Sequence, residues 1–190
     1  MDGTSPARLR IIHLIILVLT ASSCPVFSED IKGLVEKAKK GDARAQFNLG
    51  FAYAHGRGVR QDHSEAAKWY RKAAEQGYAM AQSNFGVAYA HGQGVPQDHS
   101  EAAKWYRKAA EQEDPMAQYN LGVAYAHGQG VPQDHVFAYF WFSLSASRST
   151  GEHHVQSAKS RDIAAASLTP DQLMKAQRMT REWDATHPRH

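Results

Sequence analysis

The chain repeats itself every 36 residues, and that period limits what it can fold into more than any other feature. The strings "AQFNLG", "AQSNFG" and "AQYNLG" begin at residues 45, 81 and 117. Trp69, Trp105 and Trp141 keep the same interval, as do Tyr53, Tyr89 and Tyr125, the Gly-x-Gly pairs starting at Gly56, Gly92 and Gly128, and the aspartates Asp62, Asp98 and Asp134. A period of this size marks a solenoid, because one such unit cannot bury its apolar face alone and must stack on its neighbours.

Each unit reads as two helices. Ala45, Leu49, Ala52 and Tyr53 fall on one face at helical spacing, with Asp42 as N-cap and Gly56 as stop. The loop "GRGVRQ" leads to Asp62, placed to cap a second helix while Glu65 reaches back to complete a capping box. Ala66, Trp69, Tyr70 and Ala73 give that second helix a buried stripe. Gly50, Gly86 and Gly122 sit inside the first helix of each unit, where glycine costs about 1 kcal/mol relative to alanine. Its recurrence predicts a helix crossing too close for a side chain.

The run Ala-x-x-x-Leu/Phe-Gly-x-x-Tyr-x-x-Gly-x-Gly-Val-x-x-Asp-x-x-x-Ala-x-x-Trp-Tyr/Phe resembles the Sel1-like repeat, a relative of the tetratricopeptide repeat. The resemblance implies an all-α fold, a right-handed α/α superhelical solenoid of helix-turn-helix repeats, whose members serve mainly as adaptors in protein assembly. The expected units are 41–76, 77–112 and 113–148. "DIKGLVEKAKK" places an N-terminal capping helix in 29–40, and capping helices fill 149–185 before a tail at 186–190.

The third unit departs from the pattern. "HSEAAKWYRKAA" becomes "HVFAYFWFSLSA", so Phe137, Tyr139, Phe140 and Leu144 stand where the first unit has Glu65, Ala67, Lys68 and Lys72. Either the C-terminal helices cover this apolar face, or it is a surface for a partner. One such helix is expected around Val155 to Ala166. Another opens at Thr169-Pro170-Asp171-Gln172, a capping box with proline in the first turn, and carries Leu173, Ala176, Met179 and Trp183.

Residues 1–28 read as an export leader. Arg8 and Arg10 precede the uncharged run "IIHLIILVLTASSCPVF", a basic start followed by an apolar segment short for a membrane span. Two processing routes fit: cleavage before Glu29, with Val26 and Ser28 as the small flanking residues, or lipidation of Cys24 within the lipobox-like "TASSC". The protein is therefore expected in the bacterial periplasm or secreted, touching a membrane only through a lipid on Cys24. Cys24 is the sole cysteine, so no disulfide supports the fold. The formal charge of +3 falls by one without the leader, and nothing in it recruits nucleic acid.

Two histidines and an aspartate recur in "YAHGQGVPQDH", which suggests metal or acid–base chemistry until the frame is considered. His55, His91 and His127 close first helices, where an imidazole suits the negative end of the dipole, and His63, His99 and His135 follow the capping aspartates. Stacked helices lie about 10 Å apart while zinc ligands sit about 2 Å from one ion, so the ladders cannot share a metal. A pair within one unit, such as His91 with His99, stays open. No metal and no cofactor are expected. The resemblance carries one enzymatic alternative, since cysteine-rich relatives have been described as binding or hydrolysing β-lactams. This chain lacks their cysteine pairs, and Ser64 and Ser100 stand four residues before Lys68 and Lys104, so no Ser-x-x-Lys arrangement exists. A non-catalytic protein is expected.

The resemblance puts the first helices on a concave groove for a protein or peptide partner. Arg44, Met80 and Met116 align there, followed by Phe47, Ser83 and Tyr119, then by Phe51, Val87 and Val123. These positions, at i, i+3 and i+7, share a face away from Leu49 and Tyr53, and their apolar members are either a partner surface or part of the core. Asn48, Asn84 and Asn120 are identical in all units and either tie adjacent helices together, the expected role, or bind a peptide backbone.

Overall fold

A computed structural model describes residues 25–187; the apolar leader segment, Cys24 and residues 188–190 lie outside the described residues. Nine helices and no strand occur among the described residues: α1 (Pro25–Lys39), α2 (Ala43–His55), α3 (His63–Glu75), α4 (Ala79–His91), α5 (His99–Glu111), α6 (Pro115–His127), α7 (His135–Arg148), α8 (Gly151–Ala166) and α9 (Pro170–Thr186). None of them is long and apolar enough to cross a membrane. The pairs α2–α3, α4–α5 and α6–α7 are the three repeats. Each packs on the next, so the core runs along the stack as an α/α solenoid.

The caps explain why every repeat breaks in the same places. The Asp42 carboxylate accepts from the Ala45 amide at 2.7 Å, and Gly56 stops α2 in the left-handed region at φ 67°. Asp62 then caps α3 by accepting from the Ser64 and Glu65 amides. The expected capping box does not form there. The Asp62 N–H already donates to the Tyr53 carbonyl at 2.9 Å, and Glu65 turns instead to Lys68 at 2.7 Å.

Glycine does the work predicted for it at the crossings. A Cβ on Gly50 would lie 2.8 Å from the Tyr70 ring, and one on Gly122 would lie 2.7 Å from the Phe142 ring. The repeated turn is a second junction. Gly94, at φ +75°, rests against the backbone of His63 and Ser64 in the preceding repeat, where a Cβ would collide with the His63 carbonyl. Gly130 meets His99 in the same way. "YAHGQGVPQDH" is therefore in large part a docking turn between successive units.

A buried glutamine ladder joins the repeats and was not foreseen from the sequence. Gln46, Gln82 and Gln118 donate to the carbonyls of Ala38, Ala74 and Ala110 at 3.1, 3.1 and 3.2 Å. Gln76 and Gln112 close the first two rungs by donating to Gln46 and Gln82, each at 2.7 Å. The first bond shows that α1 stands as the second helix of a preceding unit. In the third rung the equivalent of Gln112 is Arg148, which is drawn elsewhere, and the Gln118 Oε1 is left buried without a partner.

Arg148 fastens the C-terminal end. Its guanidinium reaches Asp184 at 2.8 Å and Glu113 at 3.3 Å and donates to the His187 carbonyl at 3.3 Å. Glu113 takes the left-handed conformation that glycine fills at Gly41 and Gly77, so a strained backbone position is kept where its side chain meets Arg148. α9 opens with the expected capping box and lays Trp183 on Phe140 and Trp141, at ring distances of 5.9 and 5.7 Å. Phe140 and Leu144 are buried, while Phe137 stays 37% exposed, stacked on Tyr125 at 5.0 Å. The apolar face of repeat 3 is mostly covered by the chain's own end.

Candidate functional site

The first helices leave one stripe facing outward, spaced at i, i+4, i+7 and i+11. It runs Arg44, Asn48, Phe51 and His55 on α2, then Met80, Asn84, Val87 and His91 on α4, then Met116, Asn120, Val123 and His127 on α6. The arginine, the histidines, Asn48 and the methionines are exposed, with Met80 at 45% and Met116 at 44%. The others are half-buried.

The column Phe47, Ser83 and Tyr119 turns toward the next repeat, with Ser83 buried and the two aromatic residues half-buried. Phe47 packs on Tyr78 at 5.3 Å and Tyr70 at 5.9 Å, inside the junction of repeats 1 and 2. Ser83 is buried, and its hydroxyl favours the ionised form of the Asp114 carboxylate beside it. Tyr119 lies on Phe142 at 5.4 Å and accepts at its hydroxyl from Gln156 at 3.1 Å. A residue three beyond the Arg44 column projects toward the next repeat rather than outward, because a helix turns about 300° in three residues.

The asparagines take the vacated place on the surface. Asn48, Asn84 and Asn120 make no side-chain hydrogen bond among the described residues, and the tying role expected for them belongs to Gln46, Gln82 and Gln118. An invariant amide is a signal visible in sequence, yet sequence alone does not say which of two invariant amides, two positions apart, points inward. Beside the asparagine column, Phe51 lies against the His55 ring at 4.0 Å, with the Arg57 guanidinium 4.9 Å from its centre.

Two hollows open along the stripe and share Asn120. One, of about 470 Å3, lies between α6 and α8 and includes Met116, Tyr119, His153 and Gln156. The other, of about 380 Å3, lies where repeats 2 and 3 meet and includes His91, His99, Tyr106, Asn120 and Val123. At Tyr106 burial pushes the phenol well above its ordinary range, and at Tyr70 to about 12, so both hydroxyls keep their protons at neutral pH. No group of three or more metal-ligating side chains forms among the described residues.

The fold and this outward stripe define a helical repeat protein built to present one continuous face. The Sel1 repeat family model matches residues 43–78, 79–114 and 115–149, and the chain belongs to that family. Its repeats generally mediate protein–protein interaction. Among solved structures, the chain is similar to a protective antigen of uropathogenic Escherichia coli strains with an SLR fold, at 38% identity and a TM-score of 0.74. That match covers 82% of this chain and 32% of the antigen. It is similar also to a Sel1 repeat protein from Oxalobacter formigenes, at 39% identity and a TM-score of 0.60, over 66% of this chain and 52% of that one. The chain thus spans about a third of the first protein and about half of the second. No curated protein matches it.

Proposed function

We propose that this protein is an exported, non-catalytic scaffold that holds an extended segment of a partner protein along the outward stripe of its first helices. The observation that carries the reading is the column Asn48, Asn84 and Asn120: three identical amides, one per repeat, with no side-chain hydrogen bond among the described residues. A primary amide offers both donors and an acceptor, the complement of a peptide backbone. Met80 and Met116 on one side and Phe51, Val87 and Val123 on the other supply adaptable apolar contact for side chains. The export part of the reading rests on the basic and apolar character of residues 8–27.

The test is crosslinking of the full-length chain in its native envelope, identification of the trapped partner, and measurement of its affinity for variants. Asn48→Ala and Met80→Ala are expected to weaken retention by about 1–2 kcal/mol each, with unchanged helicity. Undiminished binding by both would move the site off the stripe.

A further inference from the structure

The hollow between repeats 2 and 3 has a chemical bias that the stripe as a whole does not. Tyr106, only 6% exposed, lines it and makes no side-chain hydrogen bond among the described residues. Its ring is enclosed while its hydroxyl is not fully buried, so the hydroxyl is open to a ligand in this space. Around it stand the Asn120 amide, which is also uncommitted, and the His91 and His99 imidazoles, over a floor of alanines. No aspartate or glutamate side chain lines the hollow. The carboxylate next in sequence, Asp98, is occupied by the Ser100 and Glu101 amides that it caps. Gln97 and Gln129 complete the polar lining, the Gln97 amide N–H being committed to the Ala90 carbonyl at 2.8 Å, and none of these side chains carries negative charge at neutral pH.

From this we infer that the junction of repeats 2 and 3 is a carboxylate-binding subsite, in which the Tyr106 hydroxyl and the Asn120 amide donate to a peptide carboxylate beside His91 and His99. The carboxylate comes from an acidic side chain or from a chain terminus; the chemistry is the same. Charge-assisted hydrogen bonds are about twice as strong as neutral ones, so an acceptor that carries full charge fits the Tyr106 and Asn120 donors better than a neutral carbonyl. The same four residue types recur 36 positions earlier as Tyr70, Asn84, His55 and His63. The third repeat cannot repeat the subsite, because Phe142 replaces the tyrosine and Tyr139 replaces the alanine found at Ala67 and Ala103.

Phe142 also supplies the control. A Cβ on Gly122 would lie 2.7 Å from the Phe142 ring, as one on Gly86 would from the Tyr106 ring, so Tyr106→Phe removes the hydroxyl from a ring position that phenylalanine already fills in this fold. The experiment titrates the full-length chain with three probes while following the Asn120 side-chain amide by NMR. N-acetylglycine carries a terminal carboxylate, the α-amide of N-acetylglutamate carries a side-chain carboxylate, and N-acetylglycinamide carries none. Saturable shifts with one or both carboxylates and none with the neutral amide are expected, and the tighter of the two identifies the source. Tyr106→Phe is expected to weaken that binding about tenfold with an unchanged melting temperature. Equal shifts with the neutral amide, no saturable shift with either carboxylate, or undiminished affinity in Tyr106→Phe would each overturn the subsite. The inference rests on the scaffold reading, but the two fail separately: the partner assay reads Asn48 and Met80, and this titration reads Tyr106.

Discussion

Gly86 and Tyr106 form a contact that leaves no room for one more carbon: a Cβ on Gly86 would lie 2.7 Å from two ring atoms of Tyr106 and 3.2 Å from the Ala102 carbonyl. The ring is buried and cannot withdraw without disturbing the alanines around it. Gly86→Ala gains about 1 kcal/mol of helix propensity but overpacks the crossing. A net loss of about 1–3 kcal/mol is expected in urea unfolding, and Gly86→Leu should lose more. An alanine variant as stable as the parent would show that the crossing yields.

The glutamine ladder can be broken at one rung. Gln112→Leu removes the donor to the buried Gln82 Oε1, which sits 2.7 Å away. The stranded acceptor is expected to cost about 1–3 kcal/mol. The comparison is Gln118→Leu, which also loses a bond to Ala110 but removes an oxygen already without a partner, and which should cost less.

Arg148 is expected to hold α9 in place. Its side chain is 6% exposed and bonded to Glu113 and Asp184, whose own side chains are 33% and 32% exposed, so Arg148→Ala removes the tie and leaves two carboxylates partly open to solvent. A loss of about 1–2 kcal/mol is expected, below that of a fully buried pair because both carboxylates can be rehydrated. Limited proteolysis should then cut near residues 166–170 before the repeats are touched, and cleavage inside α4 or α5 at the same rate would argue that the end is not a separate unit.

Asp114 caps α6 by accepting from the Ala117 amide at 2.8 Å. Burial raises its carboxyl above the ordinary value, against the opposing pull of its hydrogen bonds to Ala117, Ser83 and Met116. The folded state therefore binds this proton more tightly than the unfolded one. The corresponding stability is fully present below the unfolded pKa and is lost as pH rises through the folded pKa. Asparagine keeps the cap without the charge, so Asp114→Asn is expected to match or exceed the parent's melting temperature at pH 7 and to flatten its slope at acid pH.

Much of the architecture was determined by the sequence alone. The 36-residue period, the capping aspartates, the stop glycines at Gly56, Gly92 and Gly128, and the crossing glycines are local or periodic requirements, each legible because the same backbone problem is solved three times. The tertiary structure decided what depends on direction. Gln46 and Asn48 are both invariant polar residues on α2, two positions and about 200° apart, and only packing against α1 shows that the glutamine is the tie and the asparagine is free. Phe47, Ser83 and Tyr119 turned inward for the same reason: their burial depends on where the next repeat stands. Tyr106 and Asn120 come from different units, and nothing in either segment announces that they border one hollow. Period and caps are properties of a segment, whereas a site between repeats exists only once neighbouring segments have stacked.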